Sequence, residues 1–185
     1  MRRIFLILTD PFVSARLPLV LVAFYFIFSV TAQAQIVAFG ASNVSGKGVW
    51  PSQAWPAQLE AMLKAKGYNV HVKNAGKPGD TTSGMLHRLY FEIPSGTKIV
   101  ILDMGGGYYN NQYTNLASQR KGHADMKAIE TRLKSRGIIV IPETTKGISL
   151  AYRQSDKIHL TAEGHRLVAA RLLPLVISAL EGSSG

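Results

Sequence analysis

With 185 residues and no cysteine, the chain is long enough for one domain with a real core, and it has neither a disulfide framework nor a thiolate metal site. Its 21 Lys and Arg against 11 Asp and Glu give a formal charge of +10, a balance that favours anionic partners in general. The basic residues are scattered, however, without a dense run or an aromatic-interleaved recognition motif. They read as solvated faces, and no nucleic-acid partner is expected.

Arg2, Arg3 and Arg16 precede the apolar run PLVLVAFYFIFSV (18–30), which is followed by Ala32-Gln33-Ala34. A basic region, a short apolar core and an A-x-A site predict a signal peptide over residues 1–34, cleaved after Ala34. A retained anchor is the alternative, although the run falls short of the roughly 20 residues that span a bilayer. The mature chain, 35–185, is expected to be a single periplasmic or secreted domain without stable membrane insertion; it keeps 18 basic and 10 acidic residues.

Four apolar runs bounded by turn residues are predicted strands: QIVAFG (35–40), YNVHV (68–72), KIVILDM (98–104) and GIIVIP (137–142). Helical spacing of apolar residues predicts helices over 52–67, 81–93, 123–137 and 161–180, the last capped by Thr161 and kinked or broken at Pro174. GISLAY (147–152) is a candidate fifth strand. The alternation predicts an α/β fold, a flavodoxin-like three-layer α/β/α sandwich with a parallel sheet of four to five strands. Functional loops then belong at the strands' carboxyl ends, at 40–48, 74–80 and 105–111.

The first of these loops, FGASNVSGKGV (39–49), has two readings. Ala41, Gly46 and Lys47 have phosphate-loop spacing, and IVILD (99–103) looks like a magnesium-holding strand. Against this, position 48 is Gly where a Ser or Thr hydroxyl is needed, and Pro51 falls inside the helix that must follow. An exported protein would also meet little nucleoside triphosphate. In the other reading Gly40-Ala41-Ser42 is a sharp turn presenting a nucleophilic serine. Such a hydroxyl needs an imidazole to take its proton and a carboxylate to orient the imidazole. Asp156 and His159, three positions apart before the last helix, supply both.

The order of the pieces resembles the GDSL-like, or SGNH, hydrolase family, in its bacterial arylesterase, acyl-thioesterase and lysophospholipase type. FGASNVSGKGV is similar to the family's F-G-D-S-L block and NAGKPGDTTSGMLHRL (74–89) to its N-x-G-x-x-G-D-T-T block. DMGGGYYN (103–110) is similar to its G-x-N-D block and DKIHLTAEGH (156–165) to its D-x-x-H-L-T-x-x-G block. The resemblance implies an esterase or thioesterase acting on a small acyl substrate, with Ser42 as nucleophile, His159 as general base and then acid, and Asp156 as its orienting partner. It also implies an oxyanion hole built from the N–H groups of Ser42 and Gly76 and an Asn side chain. That last position aligns with Gly107, followed by Tyr108 where the family has Asp, and Asn110 and Asn111 lie just beyond. In the first block Ala41 and Asn43 replace the usual Asp and Leu. Without the Asn donor, an inactive or weakened ligand-binding protein on the same scaffold is the alternative function. No cofactor and no metal are expected, because His71, His87, His123 and His165 do not combine with carboxylates at ligand spacing. Tyr108, Tyr109 and Tyr113 are expected either to line a substrate pocket or to cover a core edge.

Overall fold

The computed structural model describes residues 36–143 and 145–182. The expected signal peptide and its cleavage site lie outside the described residues. Strand β1 (Ile36–Gly40) is followed by a single-turn helix, α1 (Ser42–Ser45), a 3₁₀ turn (Pro51–Gln53) and α2 (Trp55–Ala65). Then come β2 (Val72–Gly76), α3 (Thr82–Glu92), β3 (Ile99–Asp103), α4 (Gly106–Asn111), α5 (Leu116–Lys134), β4 (Ile139–Glu143), a second 3₁₀ turn (Leu150–Tyr152) and α6 (Ala162–Gly182). The four strands form one parallel sheet in the order β2-β1-β3-β4.

Side chains alternate across a strand, so the two central strands feed two separate cores. Ile36 and Ala38 of β1 and Ile99 and Ile101 of β3 pack with Trp55, Leu59 and Leu63 of α2 and Val168 and Leu172 of α6. Val37, Phe39, Val100 and Leu102 face the other way, onto Met85 and Leu89 of α3 and Met126, Ile129 and Leu133 of α5. Every residue of β1 and β3 is buried, each large apolar side chain contributing about 1.5–3 kcal/mol. The result is the expected three-layer α/β/α sandwich. The chain leaves β1 toward β2 on one side and reaches β3 on the other, so the carboxyl ends of β1 and β3 flank the crevice where the strand order reverses.

Four local expectations are corrected. The second strand is Val72–Gly76 rather than 68–72; it lies at the sheet edge, where only Val72 and Ala75 are buried, so Lys73 and Asn74 are accommodated between them. α5 begins at Leu116, seven residues before the expected start, because Asn115 caps it by accepting from the Ser118 N–H, and its first turns are exposed and carry no apolar stripe. Residues 147–152 form a 3₁₀ turn and no strand. α6 runs unbroken through Pro174. Both Pro174 and Ala170, whose carbonyl loses its bond there, are exposed, so that carbonyl is open to solvent and not stranded in the core.

Candidate active site

The site grows out of the turn at the end of β1. Gly40 must be Gly, because a Cβ would stand 2.2 Å from the Cβ of Asp103 on the neighbouring strand. That close approach lets Asp103 Oδ2 accept the Ala41 N–H at 3.1 Å, while its Oδ1 accepts those of Gly105 and Gly106, each at 2.8 Å. One buried carboxylate thereby fixes both the turn that carries Ser42 and the start of α4.

Ser42 opens α1 and faces the loop before α6. Its hydroxyl donates to His159 Nε2 at 3.0 Å. His159 Nδ1–H donates to Asp156 Oδ2 at 2.5 Å, and Asp156 Oδ1 accepts the N–H groups of Ile158 and His159, both at 2.9 Å. These bonds, led by the one from the His159 ring, hold the Asp156 carboxyl well below the usual carboxylate range. The structure thus brings Ser42, His159 and Asp156 together in one hydrogen-bonded line from parts of the chain 117 residues apart.

Asn43, which departs from the family pattern, has a clear place. Its Oδ1 accepts the Leu160 N–H at 3.1 Å and its Nδ2 donates to the Ile158 carbonyl at 3.4 Å. The residue beside the serine therefore clamps the loop that carries the histidine. A further brace is Arg88, which sequence reasoning did not single out. It pairs with Asp80 at 2.6 Å, donates to the carbonyls of Gly40 and Ala75, and lies over the Phe39 ring. A cationic side chain among helical apolar residues reads as solvated, and only the tertiary contacts show it folded inward over the strand ends.

Two glycines expected in the oxyanion hole do not face the cleft. The Gly76 N–H is already donated to Asn74 Oδ1 at 3.0 Å, and a Cβ there would stand 2.1 Å from the Ser45 nitrogen, so Gly76 serves close packing against α1. Gly107 is buried with its Cβ direction blocked by Met85 Sδ at 2.9 Å and by Thr82. In their stead Gly79 and Asn110 line the cleft beside Ser42. Open space surrounds the Cβ direction of Gly79, and no described residue takes its N–H. Asn110 lies one helical turn beyond Gly107, and its Nδ2 donates one proton to the Asp80 carbonyl at 2.7 Å. Asn111 is turned away and locked onto Thr82 through both its amide atoms.

Around Ser42 the cleft divides into two cavities. One, of about 280 Å³, is walled by Asn43, Asp103, Tyr109, Thr145, Arg153 and Lys157 among others. The second, of about 240 Å³, is walled by His159, Gly79, Lys47, Tyr109 and Tyr113. The two tyrosine hydroxyls bond at 2.8 Å. Tyr109 and Tyr113 are therefore pocket lining, whereas Tyr108 packs on the core and bonds His123 at 3.1 Å.

Two more ionisable groups are buried close by. His165 accepts the Trp55 N–H at 3.3 Å, and burial, with the His159 charge, lowers its pKa to about 4. Glu143, cross-strand from Asp103, has both carboxylate oxygens buried and unbonded; burial and the Asp103 charge push it up to about 8. Among the described residues no group of His, Cys, Asp and Glu is arranged to hold a metal ion.

No family model and no curated protein matches the sequence. Solved structures do. A variant of the esterase AlinE4 matches at 31% identity with a TM-score of 0.50, over 58% of this chain and 56% of that one. The present chain thus spans little more than half of that relative. TesA matches at 18% identity and a TM-score of 0.63, over 78% of this chain and 98% of that one. Esterase EstA from Pseudoalteromonas sp. matches at 12% identity and a TM-score of 0.62, over 80% of this chain and 100% of that one. AlinE4 is an SGNH-hydrolase family esterase. The four-stranded parallel sheet, its helical layers and these likenesses give this chain the fold of the SGNH/GDSL-like hydrolase family.

Proposed function

We propose that the chain is an exported serine hydrolase that cleaves ester or thioester bonds of small acyl substrates through an acyl-enzyme intermediate. The observation that carries this reading is the line from Ser42 Oγ to His159 Nε2 at 3.0 Å and from His159 Nδ1 to Asp156 at 2.5 Å. As Ser42 Oγ bonds to the substrate carbonyl carbon, its proton passes to His159 Nε2, and Asp156 stabilises the imidazolium. The bond to the leaving oxygen or sulfur then breaks, and His159 returns the proton to that atom. Water repeats the sequence on the acyl-serine: it gives a proton to His159, its oxygen bonds to the acyl carbon, and Ser42 leaves with the proton.

The oxyanion of each tetrahedral intermediate is held by the N–H groups of Ser42 and Gly79 and by the second Nδ2 proton of Asn110. An amide nitrogen carries two donors, and Asp80 uses only one. The Asn missing at position 107 is thus replaced one helical turn along α4. This weakens the alternative of a catalytically silent binder, which rested on the side-chain-free Gly107. Asn110→Ala is expected to lower kcat by about 10²–10³ with KM little changed, as loss of one oxyanion donor does; steady-state kinetics on a small aryl ester checks it.

The test of the reading is intact mass after treatment with a fluorophosphonate. A related phosphonate precedent exists in the Pseudoalteromonas esterase, described as inhibited by monoethylphosphonate. One stoichiometric adduct, absent from Ser42→Ala, is the expected result. A folded protein that forms no adduct overturns the proposal. Export is supported by the pattern of residues 1–34, and the N-terminal mass of protein recovered from a bacterial periplasm tests it, with Gln35 as the expected first residue.

A further inference from the structure

We propose that the larger cavity beside Ser42 selects an acyl group that carries its own negative charge, with Arg153 and Lys157 as the counter-ions. The inference rests on the hydrolase reading of Ser42 for calling the ligand a substrate, and on the cavity itself for its charge.

His159, which must protonate the leaving atom, lines the smaller cavity and is absent from the larger one. The leaving group therefore exits on the His159 side, and the acyl chain occupies the cavity walled by Thr145, Arg153 and Lys157. Arg153 is held in place there by donating Nη1 to the Ile158 carbonyl at 2.6 Å and Nη2 to the Thr145 carbonyl at 3.2 Å. The Ile158 carbonyl also receives Asn43 Nδ2, so the guanidinium is one peptide group away from the residue beside the nucleophile. A guanidinium has five N–H donors, and those bonds leave three for a ligand.

Neither cation has a carboxylate partner among the described residues; the ion pairs of the fold lie elsewhere or belong to His159. The acids nearest the cavity are already committed. Asp103 spends its oxygens on three backbone N–H groups, and Asp156 is bonded to the imidazole and two amides. Glu143 lies behind the wall with its proton retained, since burial pushes its pKa up to about 8. Lys47 adds a third exposed cation at the neighbouring cavity. A cavity with two cations and a single carboxylate, Asp103, whose oxygens are already taken by backbone N–H groups, attracts an anionic group.

Lys157 carries a second signal. At φ 61° it is the one non-glycine left-handed residue among those described, in the turn between Asp156 and Ile158. Glycine would adopt that backbone freely; here the turn is held by Asp156 Oδ1, which accepts the Ile158 and His159 N–H groups, so the bonds that build the triad also set the lysine at the cavity wall.

The test uses the full chain with Ser42→Ala, so that esters bind without turning over. The probes are monomethyl glutarate and methyl valerate, which differ by a carboxylate in place of a methyl. Titration calorimetry or ligand-line broadening by NMR is expected to show the glutarate half-ester binding at least tenfold more tightly in low salt. The ratio should shrink in about 0.5 M salt, where screening lengths fall to a few ångströms. It should fall to about threefold or less in Lys157→Gly, which removes the charge and relaxes the turn, and likewise in Arg153→Met. Equal affinities, a preference for valerate, binding of neither probe, or a ratio that both variants leave intact would each overturn the proposal. Its failure is separable from that of the hydrolase reading: wild type without a fluorophosphonate adduct but with the charge preference intact sinks only the latter.

Discussion

Ser42→Ala and His159→Ala are each expected to lower ester hydrolysis by about 10⁴–10⁶-fold, with a melting temperature within about 2 °C of wild type. The size of the effect follows from how the three residues act as a unit, so that removing one removes nearly the whole contribution of the set. The unchanged stability follows from the structure. Among the described residues Ser42 Oγ hydrogen-bonds only to His159, whereas the turn that carries it is fixed by Asp103 and Asn43 through other atoms. His159 likewise leaves its loop anchored by Asp156 on backbone N–H groups and by Arg153 on the Ile158 carbonyl. Measuring kcat/KM on a small aryl ester beside thermal melts separates chemistry from folding. Activity that survives in Ser42→Ala would assign the hydrolysis to another residue.

Glu143→Gln is expected to change the pH dependence of stability more than any other single substitution in the sheet. Glu143 is buried at the end of β4, its oxygens unbonded, facing Asp103 on β3 and sensing Arg171 of α6 and Arg153 more weakly. Its pKa is raised from 4.5 to about 8 in the folded protein, so between those values the native state holds a proton that the unfolded chain releases. The sign is therefore a stability that is fully present below about pH 4.5, falls as pH rises, and has lost its full contribution above about pH 8. The loss amounts to about 5 kcal/mol at most, at about 1.4 kcal/mol per pKa unit. A glutamine cannot ionise and stays as unpaired at pH 9 as at pH 5. Glu143→Gln should then equal wild type or lie slightly below it near pH 5, and melt on the order of 10 °C higher near pH 9. Melting curves across that range check it, and parallel profiles for the two proteins would show that Glu143 keeps its proton, or lacks it, throughout.

A family-level reading of the chain was available because its signals are local or ordered along the sequence. Apolar runs at 35–40 and 98–104 mark the two central strands, since a parallel strand buried on both faces needs unbroken hydrophobicity, and the run at 137–142 marks β4 although it lies at a sheet edge with only Ile141 and Glu143 buried. The other edge strand, β2, was misplaced by four residues, because half of it faces water and tolerates Lys73 and Asn74. The start of α5 escaped because its first turns pack against nothing and carry no periodicity.

For the site, the sequence by itself determined the residue types and their order: a serine after the first strand, and an aspartate and histidine three apart before the last helix. Only the tertiary structure distinguishes chemically equivalent residues of one block. Gly76 and Gly79 are both glycines of one block, and only the approach of Ser45 shows which is packed and which is open. Asn110 and Asn111 are adjacent asparagines on a helix, and only the contact with Thr82 shows which faces inward. Charge followed the same rule. Composition counts Glu143, Arg153 and Lys157 as ordinary ions, whereas burial beside Asp103 neutralises the first, and the nearby acids Asp103 and Asp156 are spent on other bonds, leaving the other two facing the cleft. Desolvation and the distance between charges are properties of three-dimensional neighbours, which no spacing along the chain contains.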